Sequence, residues 1–282
     1  MPVAKAKTVK RRRLAAEMRQ HREAAGITAE AVAEKLECHP SRISRIEAGS
    51  VNVTSRDVRD YLEFCGVEGA ELEALVDLAK QAKKKGWWQG YQDVLAGSYV
   101  GLESEASKIR TYEVQLVPGL LQTEAYVRAM TRAIKPIATD EEIERRIEVR
   151  LRRQELLTQS APPKYWVILD ESILHRAVGG PDVMRAQLIR LTEVAQLPNV
   201  DIQVLAFDAQ AHAGLDGPFT ILDFADPKDA PLVYIEAMGG SALYLEEADE
   251  IEAYSTVFDH VRAAALAPDE SLERLKTAAR RL

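Results

Sequence analysis

Residues 27–49 carry the clearest hydrophobic pattern in the chain, with apolar positions spaced as in two short amphipathic helices joined by a tight turn. Val32 and Leu36 supply the buried face of the first helix, and Ile43 and Ile46 supply that of the second. The pattern therefore predicts a two-helix motif in which the second helix turns a polar face outward.

That polar face carries two hydroxyls and two guanidinium groups, with no acidic side chain among them. An ordinary solvated helix face is one interpretation. The surrounding two-helix pattern favours the other, the major groove of DNA, where arginine donates bidentately to guanine O6 and N7. We therefore expect base contacts by Ser41, Arg42, Ser44 and Arg45. Weaker phosphate contacts are expected from Lys35, Arg56 and Arg59. Glu47 is expected to form a cap or salt bridge within the domain, because DNA phosphates would repel it.

Helical spacing continues on both sides of this motif. It predicts one helix over residues 11–25 and two more over 54–65 and 68–81. Residues 11–82 are therefore expected to form a compact five-helix domain with the two-helix motif second and third. Residues 1–10 are expected to be a flexible basic arm, and residues 83–90 a hinge.

The rest of the chain combines helical and strand patterns. Residues 91–160 are expected to be a helical connecting or dimer region, with helices over 102–112 and 139–157. Residues 161–282 are expected to be an α+β effector or partner-binding domain with one βαβ-like crossover. Its mixed or antiparallel sheet of about five strands, flanked by helices, is predicted at 164–169, 200–207, 219–224, 232–237 and 242–245.

Charge is distributed unevenly between these regions. Residues 1–85 carry 17 Lys and Arg against 13 Asp and Glu, a net charge of +4, so the remainder carries 20 against 31, a net charge of −11. The overall charge of −7 is thus compatible with a basic DNA reader attached to an acidic domain of another kind.

Composition places the protein among soluble globular chains of the cytoplasm, associated with the nucleoid. No apolar run reaches membrane-spanning length, and the basic N-terminus lacks the apolar core of a signal peptide. The two cysteines, Cys38 and Cys65, both fall on core-like positions, so a disulfide framework is not expected.

Chemical motifs are sparse. The five histidines show no metal-binding spacing, and nucleotide-binding and hydrolase motifs are absent, so we expect no cofactor, no metal and no enzymatic activity. His175 beside Asp170-Glu171, and His212 with Asp216, could be read as acid–base pairs, but helix caps and a turn explain them more simply. Aromatic residues that could contact a ligand or partner are Trp87, Trp88, Tyr91 and Trp166.

Residues 11–66 resemble the Xre or lambda-repressor type of helix-turn-helix domain, in which SxISRIExG is a common form of the third helix and its exit turn. Here the stretch 41–49 reads SRISRIEAG. Two positions depart from that pattern: Ala29 stands where the second helix usually opens with Gln, and His39 stands where Ser or Thr usually caps the third helix.

The resemblance extends along almost the whole chain. VPGLLQTEAYVRA, RLRRQELL, ILDESILHRAVGG, PNVDIQVLAF and GLDGPFTILDF are similar, in the same order, to segments of a group of actinobacterial regulators. That group includes WhiJ-like developmental regulators and antitoxin-like proteins, in which the reader precedes a C-terminal domain of unassigned function. Its members are often encoded beside a small acidic BldB-like protein.

The resemblance and the residues together predict a transcription regulator that binds double-stranded DNA as a homodimer. Two roles remain open for the acidic C-terminal region. It could bind a small partner protein that changes DNA affinity, or it could sense a small molecule in a pocket lined by the four aromatic residues.

Overall fold

The computed structural model describes residues 8–83, 86–91, 93–95, 98–237 and 241–282. Lys84 and Lys85 of the predicted hinge, and residues 1–7 of the predicted arm, lie outside them. The chain divides into two compact units. The described residues of the first unit fall within Met1–Gly90, Gly97–Glu105 and Asp226–Ala230. Those of the second fall within Tyr91–Ala96, Ala106–Ala225 and Pro231–Leu282.

Helices make up most of the described first unit. They are α1 (Val9–Ala24), α2 (Ala29–Lys35), α3 (Pro40–Glu47), α4 (Ser55–Phe64), α5 (Gly69–Ala82) and α6 (Tyr99–Glu105). A 3-10 helix over Trp87–Tyr91 begins in this unit, and its last residue, Tyr91, is assigned to the second. Threonine hydroxyls at Thr8, Thr28 and Thr54 accept backbone N–H groups at the starts of α1, α2 and α4. These caps satisfy donors that have no partner within the helix.

One apolar core joins helices α1 to α5. Met18, Val32, Ile43, Tyr61 and Leu62 are fully buried in it. The turn that follows α3 contains Gly49, whose φ of 63° lies in the left-handed region that a residue with a side chain adopts at a cost. The predicted helices around the two-helix motif are confirmed.

The predicted arm is wrong for residues 8–10. Thr8 accepts a hydrogen bond from the backbone N–H of Arg11 at 3.3 Å, and Val9 is buried as the first residue of α1. A cap and a buried apolar side chain at this point give the helix an ordered start.

The second unit combines a sheet with helices. Its strands are β1 (Lys108–Glu113), β2 (Lys164–Asp170), β3 (Val200–Leu205), β4 (Phe219–Asp223), β5 (Leu232–Glu236) and β6 (Ala242–Leu245). Its helices are α7 (Glu124–Ile134), α8 (Asp140–Gln154), α9 (Ser172–His175), α10 (Pro181–Val194), α11 (Ala248–Ala264) and α12 (Pro268–Arg281).

The sheet is mixed, with strand order β3-β2-β1-β4-β5-β6. β1, β2 and β3 pair in parallel, whereas β4, β5 and β6 pair in antiparallel fashion. Tyr112, Phe219 and Phe258 lie in an apolar core that joins α11 to the sheet. The predicted fold class, a helical reader followed by an α+β domain with a mixed sheet flanked by helices, is confirmed.

Strand β1 was missed by the sequence interpretation. The helix expected over residues 102–112 ends at Glu105 as α6, and residues 108–113 form a strand that pairs with both β2 and β4. The segment alternates partly buried polar residues with buried Ile109 and Thr111, a pattern of period two. The sheet therefore has six described strands and two parallel crossovers, β1 to β2 and β2 to β3, instead of one.

The helix expected over residues 139–157 is present as α8. Ile143 and Ile147 are buried and pack with Val127 of α7. Leu151, four residues after Ile147, is exposed, whereas Val149 is buried. The buried face of α8 therefore departs from a strict four-residue spacing after Ile147.

Candidate nucleic-acid interface

The two faces of α3 differ sharply. Ile43 and Ile46 are fully buried against the core of the first unit. Ser41, Ser44 and Arg45 are exposed, and Arg42 is partly exposed. The four residues predicted to contact bases thus lie on one short helix whose opposite face is anchored in the core.

His39 caps the N-terminus of α3 in place of the usual Ser or Thr. Its Nδ1 accepts the backbone N–H of Ser41 at 3.2 Å and lies 2.9 Å from the Ser41 hydroxyl oxygen. Because Nδ1 accepts the N–H, the proton of the neutral ring sits on Nε2. The imidazole therefore caps α3 as a Ser or Thr hydroxyl would, and it also orients the Ser41 side chain.

Glu47 holds the C-terminal end of α3. Its carboxylate accepts from Arg22 Nε at 2.7 Å and from Arg22 Nη2 at 2.8 Å, a bidentate ion pair between α3 and α1. The hydroxyl of Tyr61 in α4 donates to the same carboxylate at 2.6 Å. Glu47 thus forms the predicted salt bridge within the domain, and that expectation is confirmed.

Titration of these groups is shifted by their contacts. Burial alone would raise the pKa of Glu47, but hydrogen bonds from Arg22 and Tyr61 bring that pKa below its usual range. Burial, with the hydrogen bond to Glu47, raises the pKa of the Tyr61 phenol. Glu47 is therefore held as a carboxylate at neutral pH, with each of its oxygens hydrogen-bonded.

The two arginines of α3 are restrained differently. Arg45 Nε donates to the backbone carbonyl of Ser41, one turn earlier, at 3.2 Å. Arg42 Nη2 donates to Asp57 Oδ2 of α4 at 2.8 Å. Each guanidinium keeps further N–H groups in its fork, since arginine carries five donors.

The weaker phosphate candidates lie in different surroundings. Lys35 is exposed at the end of α2. Arg56 is 90% exposed, with Nε 3.7 Å from Asp60 Oδ2. Arg59 Nη1 lies 2.7 Å from Glu73 Oε1, so Arg59 would have to leave an ion pair to reach a phosphate.

Asp57 is a residue that the sequence interpretation did not single out. Its spacing from Thr54, a T-x-x-D pattern, predicts a capping box, and the structure contains one. Its ion pair with Arg42 joins residues 15 positions apart in different helices. That contact depends on tertiary packing and leaves no local signal.

Internal contacts account for the four aromatic candidates. Trp87 and Trp88, in the first unit, form an edge-to-face pair with ring centroids 6.2 Å apart. In the second unit, Tyr91 donates to Glu148 Oε1 at 2.6 Å, and the Arg145 guanidinium lies 5.3 Å from its ring centroid. Trp166 Nε1 donates to Gln203 Oε1 at 2.8 Å. Tyr91 and Trp166 therefore have separate described partners.

The histidines considered for catalysis also have structural contacts. His175 stacks on Phe207 at 5.5 Å, and its Nε2 lies 3.6 Å from Glu171. Glu171 in turn accepts from the backbone N–H of Phe207 at 2.9 Å and from Arg274. His212 Nδ1 accepts the backbone N–H of Gly214 at 3.2 Å, at the start of a 3-10 helix that ends at Asp216.

Glu113 has a strongly raised pKa. It ends the central strand β1, where burial and the charge of Glu236 raise its pKa to about 8, although Arg150 acts in the opposite direction.

Across the described residues, no three His, Cys, Asp or Glu side chains are grouped in a way that could hold a metal ion. In the same part of the chain, no helix combines the length and the apolar character needed to cross a membrane.

Two models of known protein families match the chain. Residues 13–75 match the model of a helix-turn-helix domain. Residues 96–277, well over half of the chain, match the model of a domain of unknown function, DUF5753. Neither a curated protein nor a solved structure gives a match. The chain therefore belongs to the DUF5753 family and, through its N-terminal helix-turn-helix domain, is a DNA-binding regulator.

Proposed function

We propose that the protein recognises a specific operator by placing α3 in the major groove. The observation that carries the proposal is the outward face of α3, where Ser41, Ser44 and Arg45 are exposed beside Arg42. The ion pair of Glu47 with Arg22 anchors α3 to α1 on the side away from this outward face. A recognition helix needs this combination of a fixed backbone and exposed polar side chains.

We further propose that two copies bind together. An eight-residue helix contacts only a few base pairs, and a single reader of this size gives modest specificity. A homodimer on a two-fold operator doubles the contacts and sets the two half-sites about one helical turn apart, or roughly 10–10.5 base pairs.

The test is selection of binding duplexes from a randomised library by the full-length protein at fixed salt. We expect one enriched motif with two-fold symmetry. Arg45→Ala should weaken binding to that motif by about 1–3 kcal/mol and relax preference at one base pair per half-site. Arg190→Ala, which removes an arginine from the second unit, is the matched control and should change little. An equal effect of both variants would contradict the groove assignment.

For the acidic second unit we propose a protein partner that alters DNA affinity. Phe207 and Leu215, both in the segment between β3 and β4, are 64% and 68% exposed. Exposed apolar side chains that form a contiguous surface are typical of protein contact sites, and these two lie in one segment. The resemblance to WhiJ-like and antitoxin-like regulators suggests the kind of partner: a small acidic BldB-like protein encoded nearby.

Purification of the full-length protein from its host tests this. A small neighbouring gene product should be retained, and the double variant Phe207→Ser/Leu215→Ser should lose it. Ile137→Ser, at an exposed apolar residue elsewhere in the same unit, is the control and should retain the partner. DNA affinity that responds to small metabolites in a protein-free extract would favour the alternative, a small-molecule sensor.

We also propose that regulation involves no catalysis. His175 and Glu171 are engaged with Phe207 and Arg274, and His212 caps a 3-10 helix, so each has a structural use. His175→Ala and His212→Ala are expected to leave regulation of a reporter gene intact. Loss of regulation in either variant, with DNA binding preserved, would argue for an enzyme.

A further inference from the structure

We propose that Asp57 is a positioning residue for Arg42 and thereby helps to decide which base pair the protein prefers. The inference rests on the proposed function, because it requires α3 to lie in the major groove. It assigns part of the base specificity to α4, which the two-helix motif itself does not include.

The geometry links the first turns of two helices. Arg42 is the third residue of α3 and Asp57 the third of α4, and Arg42 Nη2 lies 2.8 Å from Asp57 Oδ2. An unrestrained arginine has many rotamers, from which it can reach phosphates as well as bases. The ion pair fixes one terminal nitrogen of the fork and leaves other N–H groups to contact guanine.

Asp57 is itself held in place. Its backbone N–H donates to Thr54 Oγ1 at 3.0 Å, and its Oδ2 accepts the backbone N–H of Thr54 at 3.3 Å. One carboxylate oxygen thus receives both the cap of α4 and the guanidinium of Arg42. A negative charge in the first turn of α4 is also favoured by the helix dipole. The support behind Arg42 is therefore rigid.

The pair also has an electrostatic consequence. The Asp57 side chain is 22% exposed and that of Arg42 is 38% exposed, so both are within reach of a ligand on this surface. A carboxylate here repels phosphates and competes with them for Arg42. Asp57 should therefore lower binding to unrelated DNA while it improves discrimination between base pairs.

Three variants separate these effects in the full-length protein. Asp57→Asn removes the charge but keeps an oxygen that can cap α4. Thr54→Ala removes a cap of α4 and leaves both ion-pair partners in place. Asp60→Asn removes a neighbouring acidic charge on the same helix, 3.7 Å from Arg56, and controls for charge alone. Arg42→Ala identifies the base pair concerned.

The probes are the duplex enriched by the wild type, its single-base-pair variants and one unrelated duplex. At the base pair identified by Arg42→Ala, wild-type discrimination of roughly 10- to 100-fold is expected. Asp57→Asn should reduce it to within about threefold and bind the unrelated duplex at least as tightly as the wild type. Thr54→Ala and Asp60→Asn should both keep the discrimination.

Two results would overturn the inference while leaving the proposed function intact. One is full discrimination by Asp57→Asn. The other is an equal loss of affinity for every duplex by Asp57→Asn and Thr54→Ala, which is what a purely structural role for Asp57 produces. Failure of the wild type to enrich any duplex would instead overturn the proposed function, and this inference with it.

Discussion

Two arginine–carboxylate pairs hold α3, one near each end, and they differ in exposure. At the C-terminal end, the side chains of Arg22 and Glu47 are 13% and 9% exposed, and Tyr61 adds a further hydrogen bond. At the N-terminal end, the side chains of Arg42 and Asp57 are 38% and 22% exposed. The first pair lies behind the helix, and the second lies at the edge of its outward face.

The difference in exposure indicates that the Arg22–Glu47 pair stabilises the fold, whereas the Arg42–Asp57 pair is placed to affect DNA recognition. Charges that are taken out of water and fully hydrogen-bonded are expensive to break, because the remaining charge is left without a partner. Exposed pairs contribute little to stability, because water screens them. The buried pair therefore sets the position of α3, whereas the exposed pair is available to shape contacts with a ligand.

The largest expected effect is on the buried pair. Glu47→Gln removes the buried counter-charge of the Arg22 guanidinium and leaves the exposed Glu23 carboxylate, 3.5 Å from Nη2, so it should cost up to about 3–5 kcal/mol of folding free energy in the first unit. Glu73→Gln, which breaks the solvent-exposed ion pair with Arg59, is the matched control and should change the folding free energy little. Hydrogen exchange of amides in α1, α3 and α4 of the full-length protein measures both. Similar losses of folding free energy in Glu47→Gln and Glu73→Gln would contradict a larger contribution of the buried pair to stability.

The pH dependence of folding stability tests the Arg22–Glu47 pair independently. The folded pKa of Glu47 lies below its unfolded value of 4.5, so its stabilising contribution is present above that value. Below about pH 4.5 the unfolded chain binds the proton first, and the contribution is lost as the pH falls through the folded pKa. Wild-type stability should therefore fall more steeply than that of Glu47→Gln in this range. Parallel curves in urea unfolding would contradict the assignment.

The more exposed pair of α3, Arg42 with Asp57, should affect DNA affinity more than folding stability. Arg42→Ala is expected to reduce affinity for the enriched duplex by about 1–3 kcal/mol, while the folding free energy changes by no more than about 1 kcal/mol. Fluorescence anisotropy and thermal unfolding of the same preparation measure the two quantities. A loss of stability as large as the loss of affinity would place Arg42 with the structural pair.

The smallest expected effect concerns His39 at the N-terminus of α3. His39→Ala removes the acceptor for the Ser41 N–H and should cost about 1 kcal/mol, whereas His39→Asn supplies another capping oxygen and should restore most of it. Thermal unfolding of the two variants checks this. If His39→Ala is as stable as the wild type, the imidazole contributes nothing as a cap.

Local sequence patterns were sufficient to predict the helices of the helix-turn-helix domain, but not the central strand of the sheet. Ile43 and Ile46 mark the buried side of α3 by their spacing alone, and the outward residues follow from it. In β1, the strand Lys108–Glu113, the period-two pattern covers only six residues and follows a helical segment that contains two Glu. Its central place becomes evident only from its pairing with β2 and β4.

The residues of the candidate DNA-binding site were likewise only partly predictable from the sequence. The exposed hydroxyls and guanidiniums of α3 are visible in the sequence, as is the T-x-x-D cap of α4. The contacts of Arg22 with Glu47 and of Arg42 with Asp57 join residues 25 and 15 positions apart. Such pairs depend on how helices pack, and no local spacing specifies them.

Methylation interference on the enriched duplex tests most directly whether α3 reads bases in the major groove. Methylation of guanine N7 blocks an arginine that contacts that atom. We expect interference at defined guanines in each half-site with the wild-type protein, and loss of one of these signals in Arg42→Ala or Arg45→Ala. Interference that is absent, or that is unchanged in both variants, would contradict major-groove reading by α3.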